Sequence, residues 1–202
     1  MNKFTFKKLK NEDIEKIIEY TIKGMNFDKY FKTHKDTQDY GRFYVYREME
    51  HSSDYLALYN DDRFLGVLFY NVLKDSKLQL NNRQRQFFDN YYKKALKEYP
   101  NDFLTYPNAI DEMKIKNNLS SYDLEMTLFV VDQTRTHEGI GSFIYDKFAC
   151  MFKDKKVYVF TDENCSYGFY ENKGFTKIDE KYLVYYNDEE SSENVLLYKK
   201  TL

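Results

Sequence analysis

Hydrophobic and polar positions along the chain change period several times, and each change marks an element. Phe4, Phe6 and Leu9 alternate with polar neighbours and predict a first strand. Asn11 stands as the N-cap of a helix whose apolar positions Ile14, Ile17, Ile18 and Ile22 share one face, and Gly24 ends it. Asp36 to His51 reads as a second helix. Tyr55 to Asn60 and Arg63 to Tyr70 read as strands of a hairpin about Asn60-Asp61-Asp62. The pattern then breaks from Asn71 to Ser121. A polar loop leads into a helix near Asn82 to Tyr99, with Phe87, Phe88, Tyr91, Tyr92, Ala95 and Leu96 at helical spacing. Pro100 stops that helix, Pro107 reads as a loop residue, and a short mixed-charge segment runs to Asn118.

Leu124 to Val131 is the strongest strand. It passes through a polar loop into Gly139-Ile140-Gly141-Ser142 and an amphipathic helix with Ile140, Phe143, Ile144, Phe148, Met151 and Phe152 on its apolar side. A short buried strand at Val157 to Phe160, a short helix around Tyr167 to Lys173 and strands near Phe175 to Tyr186 and Asn194 to Thr201 complete the reading. No repeat or linker separates these elements. Residues 1–202 therefore form one α/β (α+β) domain, with an insertion at about 71–121 between the third and fourth strands.

Composition narrows the function classes. The 202 residues carry 31 basic and 33 acidic side chains, a net charge of -2. Such a balance offers no broad positive field for nucleic acid. The 21 tyrosines and 17 phenylalanines, with no tryptophan, could be read as base-stacking platforms, but codon bias in an AT-rich genome explains them more simply. Mean hydropathy is -0.78, no run is long enough to cross a bilayer, and Met1 to Lys10 lacks a signal-peptide core, so a cytoplasmic location is expected. Cys150, Cys165, His34, His51 and His137 show no metal-ligand spacing, and no metal is expected.

The strand, glycine-containing loop and helix around residues 124–152 can aim free backbone N–H groups and a helix dipole at one point, which suits phosphate. The loop lacks the lysine of a P-loop and the third glycine of a dinucleotide fingerprint. Downstream, "FYENKGF" follows "LFVVDQTRTHEGIGS" after one helix and one strand. Together the two segments resemble motifs A and B of the GNAT N-acetyltransferase superfamily.

The resemblance implies a mixed, mostly antiparallel sheet of about seven strands flanked by helices, with splayed fourth and fifth strands admitting acetyl-CoA as co-substrate. It implies cofactor contacts from Phe129, Val130 and Val131, and a pyrophosphate held by the amides of Thr136, His137, Glu138, Gly139, Ile140, Gly141 and Ser142. It also implies an amide contact from Asn164, whose other reading is a helix N-cap. Thr136 stands where the family usually has Gln or Arg, with Arg135 one place earlier, and Glu138 adds a repulsive charge.

For chemistry, the resemblance puts a general acid at Tyr170, with Tyr167 as substitute were the helix rotated, and a general base at Glu125. Strand alternation sets Glu125 on the face of Thr127 and Phe129, and the alternative is a solvent-facing carboxylate. Cys165 reads as inert. The aromatic face of Phe87 to Tyr99 reads as core, with a lid as the other reading. Asp188, Glu189, Glu190 and Glu193 read as a solvated hairpin tip. The implied activity is direct transfer of acetyl to a primary amine of a small molecule or peptide. The alternative is a non-catalytic acyl-CoA-binding module. No nucleic-acid or membrane partner is expected, and a homodimer is left open.

Overall fold

A computed structural model describes residues 4–135, 138–185 and 188–202. Its sheet has seven strands in the order β1-β2-β3-β4-β5-β7-β6. These are β1 Phe4–Phe6, β2 Asp54–Asn60, β3 Arg63–Val72, β4 Leu124–Val131, β5 Lys156–Asp162, β6 Thr176–Tyr185 and β7 Asp188–Thr201. Every neighbouring pair is antiparallel except β4 and β5, which run parallel.

The helices are α1 Asp13–Gly24, α2 His34–His51, α3 Asn82–Glu98, α4 Pro100–Lys116, α5 Ile140–Met151 and α6 Gly168–Asn172. On one face of the sheet, Ile140, Ile144 and Phe148 of α5 and Tyr170 of α6 pack on Leu56, Leu68, Met126 and Val159. On the other, Ile17 and Ile18 of α1 and Val45 of α2 pack on Tyr59, Val67 and Leu128. Helices α1 and α2 approach so closely that a Cβ on Gly41 would stand 2.5 Å from Ile22 Cγ1, so glycine sets their spacing. Burial of these apolar faces, at about 25 cal/mol per Å², is the main stabilising contribution.

Two local expectations are corrected. Asn11 does not cap α1: Glu12 occupies the N-cap position, and the Asp13 carboxylate instead accepts from the Lys10 N–H at 2.6 Å. Pro107 is not in a loop but inside α4. Pro100 starts that helix at a position needing no N–H, and burial of Ala109 and Met113 against Leu183, Val195 and Leu197 offsets the hydrogen bond that Pro107 omits. The aromatic face of α3 packs on α2 in part, as expected, with Phe43 stacked on Phe88 and Tyr91 at 4.9 Å, while Tyr92 and Tyr99 stay exposed. Helix α3 begins with a reciprocal capping box between Asn81 and Gln84.

Candidate active site

Strands β4 and β5 pair only through Leu124–Val157, Glu125–Tyr158 and Met126–Val159. Beyond Met126 the partners separate, while β3 stays paired with β4 and β7 with β5 to their ends. A cleft therefore opens between the last residues of β4 and β5. The Asp132 N–H donates to the Leu65 carbonyl at 2.7 Å, and by antiparallel alternation Val130 bonds to β3 as well. The N–H and C=O of Phe129 and Val131 consequently face the cleft. Val130 does not belong with them: its backbone serves β3 and its side chain is buried with Leu128 in the α1–α2 core.

Between Met126, opposite Tyr70, and Leu128, opposite Phe69, Thr127 has no partner on β3 and forms a bulge. The bulge reverses the phase of the strand, so Glu125 and Phe129 lie on opposite faces, which corrects the simple alternation. Met126 packs with α5 and Leu128 with α1 and α2. Glu125 sits at the closed end of the cleft. Its carboxylate is 2.9 Å from Lys114 of α4 and accepts from the Tyr158 hydroxyl at 2.9 Å. It is thus ion-paired and largely buried rather than solvent-facing.

At the mouth of the cleft, Gly139 precedes α5 with φ of 72°, a left-handed conformation costly for residues with a Cβ. A Cβ there would meet nothing within 4 Å, so conformation rather than crowding calls for glycine. Among the described residues no side chain caps this helix, and its first intrahelical bond runs from Phe143 N–H to Gly139 C=O. The N–H groups of Ile140, Gly141 and Ser142 are left for an anion. Gly141 brings this turn beside Phe169 and the cleft-facing Phe129.

Asp132 organises the loop's start. Its carboxylate accepts from Thr134 N–H at 3.0 Å and Thr134 Oγ1 at 2.6 Å, and pairs with Arg63 at 2.7 Å. Burial would raise this carboxyl, but those partners hold it below its usual range. Glu138 is ion-paired with Arg135, whose hydrogen bond keeps its carboxyl low and cancels its repulsion toward an anion. Thr136 and His137 lie outside the described residues.

Tyr170 is buried near the end of β5, beside Phe175 and Phe169. Among the described residues its hydroxyl has no hydrogen-bond partner, yet it is not sealed, since the one sealed and unpartnered polar side-chain atom is Thr5 Oγ1. Burial first, then the neighbouring Cys165 and Asp162, push its phenol far above its ordinary value, so it stays protonated. Tyr167 is exposed and does not replace it. Asn164 is not a helix cap: its side-chain amide donates to Tyr30 Oη at 3.2 Å, and its backbone carbonyl accepts from Asn26 at 3.0 Å. It fastens the segment after α1 to the end of β5. Cys165 donates to Asp162 at 3.0 Å, and burial raises its thiol, so it is no nucleophile.

On the α2–α4 side of the cleft lies a group of residues absent from the sequence-based site. Glu193 is not part of a solvated tip. It is half-buried and in phase with Val195 and Leu197 on the α4-facing side of β7. Burial is the main cause that pushes its carboxyl up to about 7, and Asp162 and Glu163 add to it, against the Tyr185 hydrogen bond and Arg47, which pull it down. Across from it, α2 presents Tyr44 and Arg47, and α4 presents Tyr106. The Arg47 guanidinium stands 4.4 Å from the Tyr44 ring and 5.7 Å from that of Tyr106. All three are largely buried yet retain some accessible surface, so the gap among α2, α4 and β7, called the chamber below, is not fully packed. Asp162 joins chamber and cleft, since it acts electrostatically on both Tyr170 and Glu193. The signal that could have found Glu193 is its register with Val195 and Leu197. It is masked because Leu196 and Tyr198 are also buried, so β7 shows no alternation.

No protein-family model and no curated protein matches the sequence. Solved structures do match, over nearly the whole chain. An apo single-residue variant of agmatine N-acetyltransferase is 10% identical, with 98% of this chain and 99% of that chain covered and a TM-score of 0.59. The ribosomal-protein-S18-alanine N-acetyltransferase of Escherichia coli is 9% identical, with 98% and 94% covered and a TM-score of 0.53. A proposed GNAT-family acetyltransferase from Desulfovibrio desulfuricans is 12% identical, with 98% of both covered and a TM-score of 0.51. The fold is that of the GNAT superfamily, with its mixed sheet and parallel β4–β5 pair.

Proposed function

We propose that this protein is an acetyl-CoA-dependent N-acetyltransferase acting by direct transfer to a primary amine. The observation that carries the reading is the cleft beyond Met126 and Val159, into which the backbones of Phe129 and Val131 face, with the uncapped start of α5 at its mouth. These groups fit the co-substrate. The amides of Ile140, Gly141 and Ser142 would hold the pyrophosphate, and Phe129 and Val131 would hydrogen-bond the pantetheine arm as an added strand would. Bound there, acetyl-CoA supplies an acyl group activated as a thioester.

The chain's own groups move the protons. The acceptor amine enters from the α2–α4 chamber, and Glu193, charged above about pH 7, removes its proton as the nitrogen bonds the acetyl carbon. The carbon–sulfur bond breaks, the Tyr170 hydroxyl gives its proton to the departing sulfur, and the second proton shed by the acylated nitrogen restores the phenol. Glu125, engaged by Lys114 and Tyr158, is a structural carboxylate in this scheme. Calorimetry with acetyl-CoA and CoA, followed by CoA-release assays over a panel of amines, tests the reading. Absence of binding to well-folded protein overturns it, and binding without turnover of any amine favours the non-catalytic module.

A further inference from the structure

The chamber's charges are arranged as a pair of opposed walls. Arg47 Nε donates to Glu48 Oε1 at 2.8 Å, and Nη2 lies 2.7 Å from the same oxygen. A guanidinium has five donors. Both observed contacts end on one atom, so among the described residues Nη1 has no protein acceptor. It is not sealed either, because among the described residues Thr5 Oγ1 is the sole sealed polar side-chain atom without a partner. The Tyr44 and Tyr106 hydroxyls likewise lack hydrogen-bond partners among the described residues. Largely buried donors without a protein partner are free to receive a ligand's acceptor in place of water. The Arg47 charge persists there: burial, the largest single influence, would lower its pKa, but Glu48 together with Tyr44, Tyr40 and Tyr106 more than offsets this.

The opposite wall is negative. Glu193 on β7 feels Asp162 on β5 and Glu163 just beyond it, and it accepts from Tyr185 on β6. From α2 it faces Arg47, and its charge reaches Tyr106 of α4 and Tyr30. Tyr40 of α2 stands close enough to act on Tyr185.

Resting on the acetyltransferase reading, we propose that the acceptor is an amino-acid-like zwitterion, its carboxylate taken by Arg47 Nη1 and its amino group presented to Glu193. A simple monoamine would leave Nη1 unpaired, and a diamine would set its second cation against Arg47.

Matched acceptors separate these cases: β-alanine against propylamine and 1,3-diaminopropane, and γ-aminobutyrate against butylamine and 1,4-diaminobutane, with L-alanine against ethylamine. With the full chain and acetyl-CoA, at least one carboxylate-bearing acceptor should exceed its partners in kcat/KM by at least about tenfold, the scale of one charge-assisted hydrogen bond. Arg47→Gln should erase the advantage. Because it strands the Glu48 carboxylate, the R47Q/E48Q double variant repeats the test without an unpaired charge. Both must bind acetyl-CoA as the parent does, and calorimetry of the preferred amino acid on CoA-saturated protein should lose its signal in them. Equal or better use of monoamines or diamines overturns the proposal, as does a preference that survives in R47Q/E48Q. Acetyl-CoA binding without turnover of any acceptor in the panel overturns it too. If acetyl-CoA itself fails to bind, the acetyltransferase reading falls and this inference with it.

Discussion

The Tyr185 hydroxyl donates to the Glu193 carboxylate across the β6–β7 pair, where Glu193 stands opposite Leu183 and in line with Val195. Among the described residues a single hydrogen bond thus accompanies a carboxyl group that the fold has carried onto an apolar strand face. The competition between that bond and burial sets the protonation of Glu193 near neutral pH.

The first prediction concerns this proton. In the unfolded chain Glu193 has its ordinary value of 4.5, and in the folded chain about 7. Proton binding therefore favours the folded state below pH 4.5, and that contribution is lost as pH rises through 7. Activity runs the other way, since only the charged form can accept a proton. The kcat profile should rise through a limb near pH 7, and Glu193→Gln should lower kcat by about 100-fold or more and remove the limb. Glu125→Gln should leave both nearly unchanged.

Tyr170→Phe separates catalysis from stability. The hydroxyl has no protein partner among the described residues, so its removal should shift Tm by less than about 2 °C. The kcat should fall by about 10- to 100-fold with little change in KM for acetyl-CoA.

Gly139 tests the anion site. Gly139→Ala should cost about 1 kcal/mol of stability, because φ is positive although space for the Cβ is free. Gly139→Asn, which tolerates that conformation, should recover stability. Denaturant titration measures both, and CoA affinity should follow the same order.

Lys114 and Glu125 should behave as a structural pair. Lys114→Met leaves the Glu125 carboxylate, 13% exposed, without its cation and should cost on the order of 1–3 kcal/mol. Adding Glu125→Gln should return much of the loss. A double-mutant cycle by chemical denaturation with no coupling would sink the assignment.

Pro107→Ala should raise Tm by about 3–8 °C by restoring a hydrogen bond to the Phe103 carbonyl in α4. Differential scanning calorimetry reads the shift directly.

Periodicity in the sequence determined the helices with one apolar stripe and the strands that alternate, and the glycine turn marked the uncapped start of α5 that is proposed as the anion site. These features are local: they depend on residues within a few positions and on backbone conformations that only some side chains adopt. Tertiary structure decided the rest. It placed Thr127 in a bulge that turns Glu125 away from Phe129, tied Glu125 to Lys114 of the insertion, and engaged Asn164 with Tyr30. It kept Pro107 within a helix because Ala109 and Met113 have a sheet face to cover. Above all it converted Glu193 from a member of an acidic run into a half-buried carboxyl group facing Arg47, the proposed base. Burial and the field of distant charges fix that role, and neither is encoded by neighbours in sequence.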